Sequence, residues 1–183
     1  MITRKYTGDY RLENVLDAGG NLKTVPVYRG PYFRFCAPAA EIRRTKLRLM
    51  LLILASSAAL LLALILPAPV LQRLYAILPL VLCLLPTVLL WQSIWTMFRA
   101  GEKARREDRD RICDGFSAWS LVLLILSALS IVGQIIGYCL GDPFRDLPTT
   151  GLTCAIAVFA LLAHRSKGGL AMGEIRADRD ADP

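Results

Sequence analysis

Acidic and basic side chains are absent from the interiors of four long stretches, Leu47–Leu66, Leu74–Phe98, Phe116–Leu140 and Thr149–Ala163. That absence excludes the intramembrane ionisable groups on which proton and ion pathways usually depend. It sets the chain apart from the small multidrug transporters, which also have four short helices but carry a glutamate in the first. Here that helix runs from Leu49 through Ala55, Ser56, Ser57 and Ala59 with no carboxylate.

Other absences narrow the chemistry. There is one histidine, His164, and the five cysteines (Cys36, Cys83, Cys113, Cys139 and Cys154) form no Cys-x-x-Cys pair. The usual thiol-redox motif and Cys/His metal spacing are therefore missing. No Walker loop, Gly-rich nucleotide turn or intramembrane Ser–His–acid set is present. The acids Glu102, Glu107, Asp108, Asp110 and Asp114 cluster in one connector, but arginines interleave them and no histidine accompanies them. The sequence thus predicts a protein that is not an enzyme, without cofactor or metal.

What is present is apolar: 55% of the 183 residues are hydrophobic. Crossing a hydrocarbon core of about 30 Å takes roughly 20 helical residues. The first three stretches meet that length; the fourth, at the short end, spans only if Gly151–His164 is helical throughout and the connector before it dips into the interface. The expected fold is an all-α membrane protein, a bundle of four transmembrane helices within residues 46–165. No apolar h-region precedes the first span, so that span is expected to act as its own uncleaved insertion signal.

Charge sets the expected orientation. Of the 22 basic residues, all but Arg73 and Arg145 lie before the first span, between the second and third, or after the fourth. The positive-inside rule then places both termini and the middle connector in the cytoplasm, in a multi-pass protein of the plasma membrane. A nucleic-acid surface is not expected, because the basic charge is divided among three flanks and mixed with acids.

Residues 1–45 read as a small β-rich cytoplasmic segment. Tyr10–Leu16 and Leu22–Tyr28 are candidate strands around a turn containing Gly19 and Gly20, and Tyr32–Phe35 is a third. Pro26 calls for an edge strand or an interruption. A hairpin of this size needs a covering surface. Tyr28, Tyr32, Phe33 and Phe35 are the candidate contacts, against the bundle and headgroups or against a partner subunit. Arg43, Arg44, Lys46 and Arg48 form a basic collar suited to anionic lipid.

Within the spans, Ala55 to Ala59 offers a small-residue surface, and Gly133, Gly137 and Gly141 repeat every four residues. Both patterns predict close helix packing, within the chain or between copies. Ser56, Ser57, Gln92, Ser93, Ser127, Ser130 and Gln134 are read as interhelical contacts. Pro79 and Pro86 should bend the second helix. The middle connector is expected to continue both flanking helices to a short turn, and the tail, residues 166–183, to be disordered. Cys139 and Cys154 are read as unpaired packing residues, a disulfide being the alternative. The resulting functional expectation is a non-catalytic accessory or interaction subunit, whose partners are the lipid bilayer and a larger membrane protein or further copies of itself. A small homo-oligomeric transporter or channel is the alternative, with Gln92, Gln134 and the serines lining its route.

Overall fold

The computed structural model describes residues 4–16, 22–66, 71, 73–100, 104–139, 147–167 and 171–175. It is mostly helical, with a small β part in two sheets. Four helical segments are long and apolar enough to cross a membrane: Ala39–Ile65, Leu74–Arg99, Arg106–Cys139 and Leu147–Ser166.

The first segment is α1 (Ala39–Ile65), which begins well before its apolar run. The second is divided at Cys83 into α2 (Leu74–Leu82) and α3 (Leu84–Arg99). Proline explains the break. Pro86 has no N–H for the carbonyl of Leu82, and its ring crowds that carbonyl, so the helix cannot run through unperturbed. The third segment comprises α4 (Arg106–Asp110), a π turn at Arg111–Gly115 and α5 (Phe116–Cys139). The fourth is α6 (Leu147–Ser166).

Burial along these helices recurs at alternating steps of four and three. On α5 the buried positions are Phe116, Ser120, Leu123, Ser127, Ser130, Gln134 and Gly137, with Gly133 beside them. On α6 they are Thr149, Thr153, Ile156, Ala160 and Ala163. A spacing that averages 3.5 keeps one stripe of each helix on its neighbours, as in a left-handed bundle. Around the bundle, α1 packs on α6, α6 on α5, α5 on α2 and α3, and α3 back on α1.

Most residues in these two stripes are small or polar, with Phe116, Leu123 and Ile156 the large apolar members. Many other large apolar side chains, among them Leu51, Leu54, Leu61, Ile125, Leu129, Ile135 and Val158, are exposed. In water so many large apolar side chains on the outer faces would be unfavourable, because hydrophobic burial favours them inside.

The β part caps one end of the bundle. β1 (Tyr10–Leu16) and β2 (Leu22–Tyr28) form an antiparallel pair, with Tyr10 opposite Tyr28 and Leu16 opposite Leu22. The ladder passes through Pro26 opposite Leu12. Pro26 is accommodated because each strand of a two-stranded sheet is an edge. The expected turn glycines, Gly19 and Gly20, lie outside the described residues.

β3 (Tyr32–Phe35) occupies the centre of a second sheet, between β4 (Ala104–Arg105) and β5 (Met172–Ile175), antiparallel to both. Two expectations change here. The middle connector is not a simple helical turn, since its Ala104 and Arg105 pair with Phe33 and Tyr32. The tail, expected to be disordered throughout, contributes a strand over Met172–Ile175, where Cys36 N–H also donates to the Ala171 carbonyl at 3.0 Å. In both cases β3 supplies backbone partners that neither short segment could find locally. Residues 176–183 lie outside the described residues.

Candidate functional site

The capped end gathers most of the aromatic and charged residues that the sequence singles out. Tyr10, Tyr28 and Tyr32 stack edge to face in series, with both centroid separations 5.2 Å. The Tyr28 hydroxyl donates to the Pro31 carbonyl at 2.9 Å and accepts from the Arg106 N–H at 3.1 Å. Burial pushes its phenol above the ordinary 10.0, against the opposing pull of the Arg106 N–H. The Arg105 guanidinium lies 5.5 Å from the centre of the same ring.

Gly30 makes room for this ring. A Cβ there would meet the Tyr28 hydroxyl at 2.6 Å and Asp9 Cβ at 2.8 Å. The first residues are tied to α4 as well: Tyr6 donates to Asp110 at 3.0 Å, and Arg106 pairs with Asp9 at 3.9 Å. These long-range ties give β1 and β2 a fixed base on the bundle.

Phe33 and Phe35 are buried, as the alternation of β3 requires, with Arg109 4.9 Å from the Phe33 ring centre and Lys46 5.0 Å from that of Phe35. Tyr32 is on the exposed side. The far part of the hairpin has less cover. Leu12 is 75% exposed and Leu22 is 74% exposed, both on the face that carries Tyr10 and Tyr28 at its base.

Arg43 and Arg44 diverge. Successive helical residues are separated by about 100° around the axis. Arg43 consequently joins Arg34, Lys46, Phe35, Ile42 and Phe98 around a cavity of about 450 Å³, and Arg44 faces away from it. A second cavity, of about 500 Å³, lies beside Tyr32, Trp95, Arg99, Arg105, Asp108 and Arg111. Gln92 also lines this second cavity.

The polar residues of the bundle are mostly satisfied by their own helices. Thr87 donates to Cys83 O at 2.7 Å, Ser93 to Leu89 O at 3.1 Å and Ser127 to Leu124 O at 2.9 Å. Others join neighbouring helices: Trp91 Nε1 donates to Ser57 Oγ at 2.9 Å, and Ser120 pairs with His164 Nδ1 at 2.9 Å. Ser56 is buried, and its hydroxyl has no partner among the described residues. Cys139 and Cys154 are free and exposed.

Gln134 is fully buried, with no exposed surface. Its amide N–H groups donate to Ser130 Oγ at 3.3 Å and Thr153 Oγ1 at 2.9 Å. Those hydroxyls spend their own protons on the carbonyls of Ala76 and Thr149. Neither can therefore donate back, and among the described residues Gln134 Oε1 has no partner. Gln92 is exposed on α3 at the capped end, so the two glutamines do not meet.

Of the predicted packing residues, Gly133 lies directly against α2, Gly137 and Ala59 are buried, and Ala55 is half-buried. Gly141 lies outside the described residues. The strand β4 escapes sequence reasoning because two residues carry no periodicity, and β5 because Met172-Gly-Glu-Ile lacks the aromatic content that marks the equally short β3. Comparison with protein-family models, with curated proteins and with solved structures finds no match.

Proposed function

We propose that this protein is a multi-pass integral protein of the plasma membrane that serves as a non-catalytic interaction subunit, with the capped end in the cytoplasm. The apolar outer surface of the bundle carries the membrane part of this reading. Leucines, isoleucines and valines coat the outside of all four helical segments, and the seam between α5 and α6 is built mostly from small and polar side chains such as Ser127, Ser130, Thr153 and Ala160. Lipid removes the hydrophobic drive for the large side chains to face inward, and close approach of small residues then holds the helices together.

The hairpin supports the interaction role. Its base is tied to α4 and to the Tyr28 stack, but Leu12 and Leu22 project with little cover on strands whose outer edges pair with no other strand among the described residues. An edge strand with exposed apolar side chains is suited to strand addition by a partner. A transported solute would need a continuous polar route, whereas Gln134 is enclosed and Gln92 opens at the capped end.

Co-purification in mild detergent tests this reading. The informative variant replaces Arg11–Val27 with Asn-Gly, closing Tyr10 onto Tyr28 with a two-residue hairpin turn. Membrane yield should be retained and a stoichiometric larger partner lost. A pure homo-oligomer with the wild-type chain, or an unchanged partner list with the variant, would rule out docking by the hairpin.

A further inference from the structure

The cavity beside α1 combines features that a soluble anion site and a simple apolar slot each lack. Ile42, Arg43 and Lys46 lie at helical spacing on one face of α1. Phe98, next to the end of α3, forms the opposite wall, and Arg34 and Phe35 close the third side from β3. Three cations converge there, and no acid is among the lining residues.

Among the described residues, Arg34, Arg43 and Lys46 have no carboxylate within ion-pair distance. Lys46 donates one proton to the Met97 carbonyl at 2.6 Å, which holds its ammonium group at the end of α3. Its two other N–H groups remain for an incoming acceptor. The remaining wall is aromatic and aliphatic, and at about 450 Å³ the space falls within the size range of small-ligand sites.

We propose that this cavity binds the phosphate-bearing headgroup of an acidic phospholipid, with the cations on the phosphate and Phe35, Ile42 and Phe98 against the glycerol and first acyl carbons. The assignment rests on the membrane reading above, since it places the cavity at the lipid–water boundary. A free phosphate would satisfy the cations but gain nothing from the apolar wall. A neutral zwitterionic lipid would bring a cation of its own toward three others. Basic sites between transmembrane helices recognise acidic lipids for these reasons.

The test uses the full chain in neutral detergent, titrated with phosphatidylglycerol, phosphatidylcholine or inorganic phosphate, with bound lipid counted by native mass spectrometry. One phosphatidylglycerol should be retained preferentially. Arg34→Gln and Arg43→Gln should each weaken it roughly fivefold, as expected for loss of one cation beside an anionic headgroup. Arg44→Gln and Arg48→Gln remove the same charge from exposed positions outside the cavity and should leave binding unchanged. Equal retention of phosphatidylcholine, equal loss in the Arg44 and Arg48 variants, or displacement by inorganic phosphate would each overturn the proposal. Extraction of the protein from membranes by alkaline carbonate would instead refute the membrane reading, independently of these titrations.

Discussion

Gly133 on α5 lies against the carbonyl of Tyr75 on α2, so close that a Cβ on residue 133 would sit 2.7 Å from that oxygen and 3.2 Å from Ala76 Cα. The carbonyl is available because residue 79 is proline and offers no N–H four residues along the helix. A missing side chain on one helix and a missing donor on the next thus meet at the same contact. Ser130, one turn earlier on α5, donates to the adjacent Ala76 carbonyl at 3.4 Å.

Gly133→Ala should therefore force α5 and α2 apart. The clash is with backbone, which cannot rotate away, and overpacking of this kind costs about 1–3 kcal/mol. Gly151→Ala is the matched control, because nothing lies within 4 Å of its would-be Cβ. Thermal or denaturant unfolding in detergent should show the first variant destabilised and the second not. Equal behaviour would remove the close α2–α5 contact.

Tyr28→Phe should loosen the cap without disturbing the bundle. It deletes the donor to Pro31 O and the acceptor for Arg106 N–H, at a net cost on the order of 1 kcal/mol. Faster hydrogen exchange at the Arg106 amide, with α5 and α6 unchanged, is the expected signature. No change at Arg106 would mean that the contact does not hold the connector.

The same phenol sets a pH limit. Its folded pKa is raised above 10.0, so its stabilising contribution is complete below pH 10 and is lost as pH rises through the folded value. Exchange at Arg106, corrected for the intrinsic effect of pH, should be flat from neutral pH to about 9 and rise only beyond 10. Loosening near neutrality would assign the dependence to another group.

Gln134→Leu and Gln134→Glu should separate packing from a solute route. Leucine removes an amide whose carbonyl has no partner among the described residues and leaves Ser130 and Thr153 donating to backbone, so stability should stay within about 1 kcal/mol. Glutamate introduces an ionisable group into the seam and should disrupt the bundle. A severe loss with leucine would show that the amide holds something more than its neighbours.

Orientation can be read by labelling. In a cysteine-free background, thiols placed in 66–73 or 141–148 should react with an impermeant reagent from outside the cell, and thiols in 101–114 should not. The reverse pattern would place the capped end outside.

Local pattern was enough to find the four helices and all three N-terminal strands, because hydrophobic runs, alternation and proline act over a few residues. The ends of the helices were less legible: α1 starts at Ala39 because a polar, well-formed helix can continue beyond the apolar run that announces it. Pairings were invisible. Tyr32 meets Arg105 on one side and Ile175 on the other, across separations for which sequence alone contains no register.

The sequence by itself determined that four helices would be apolar enough to cross a membrane and that Gly133, Gly137 and the surface from Ala55 to Ala59 could pack closely, since composition and period are properties of each helix alone. Tertiary structure decided which seam each residue entered. It placed Gly133 at the one carbonyl that Pro79 leaves free, and turned Arg43 into a cavity that its neighbour Arg44 does not reach. It also drew the tail and the middle connector onto β3. Such choices depend on which backbone groups and side chains arrive opposite one another after the helices pack, and that is a property of the assembled chain rather than of any segment.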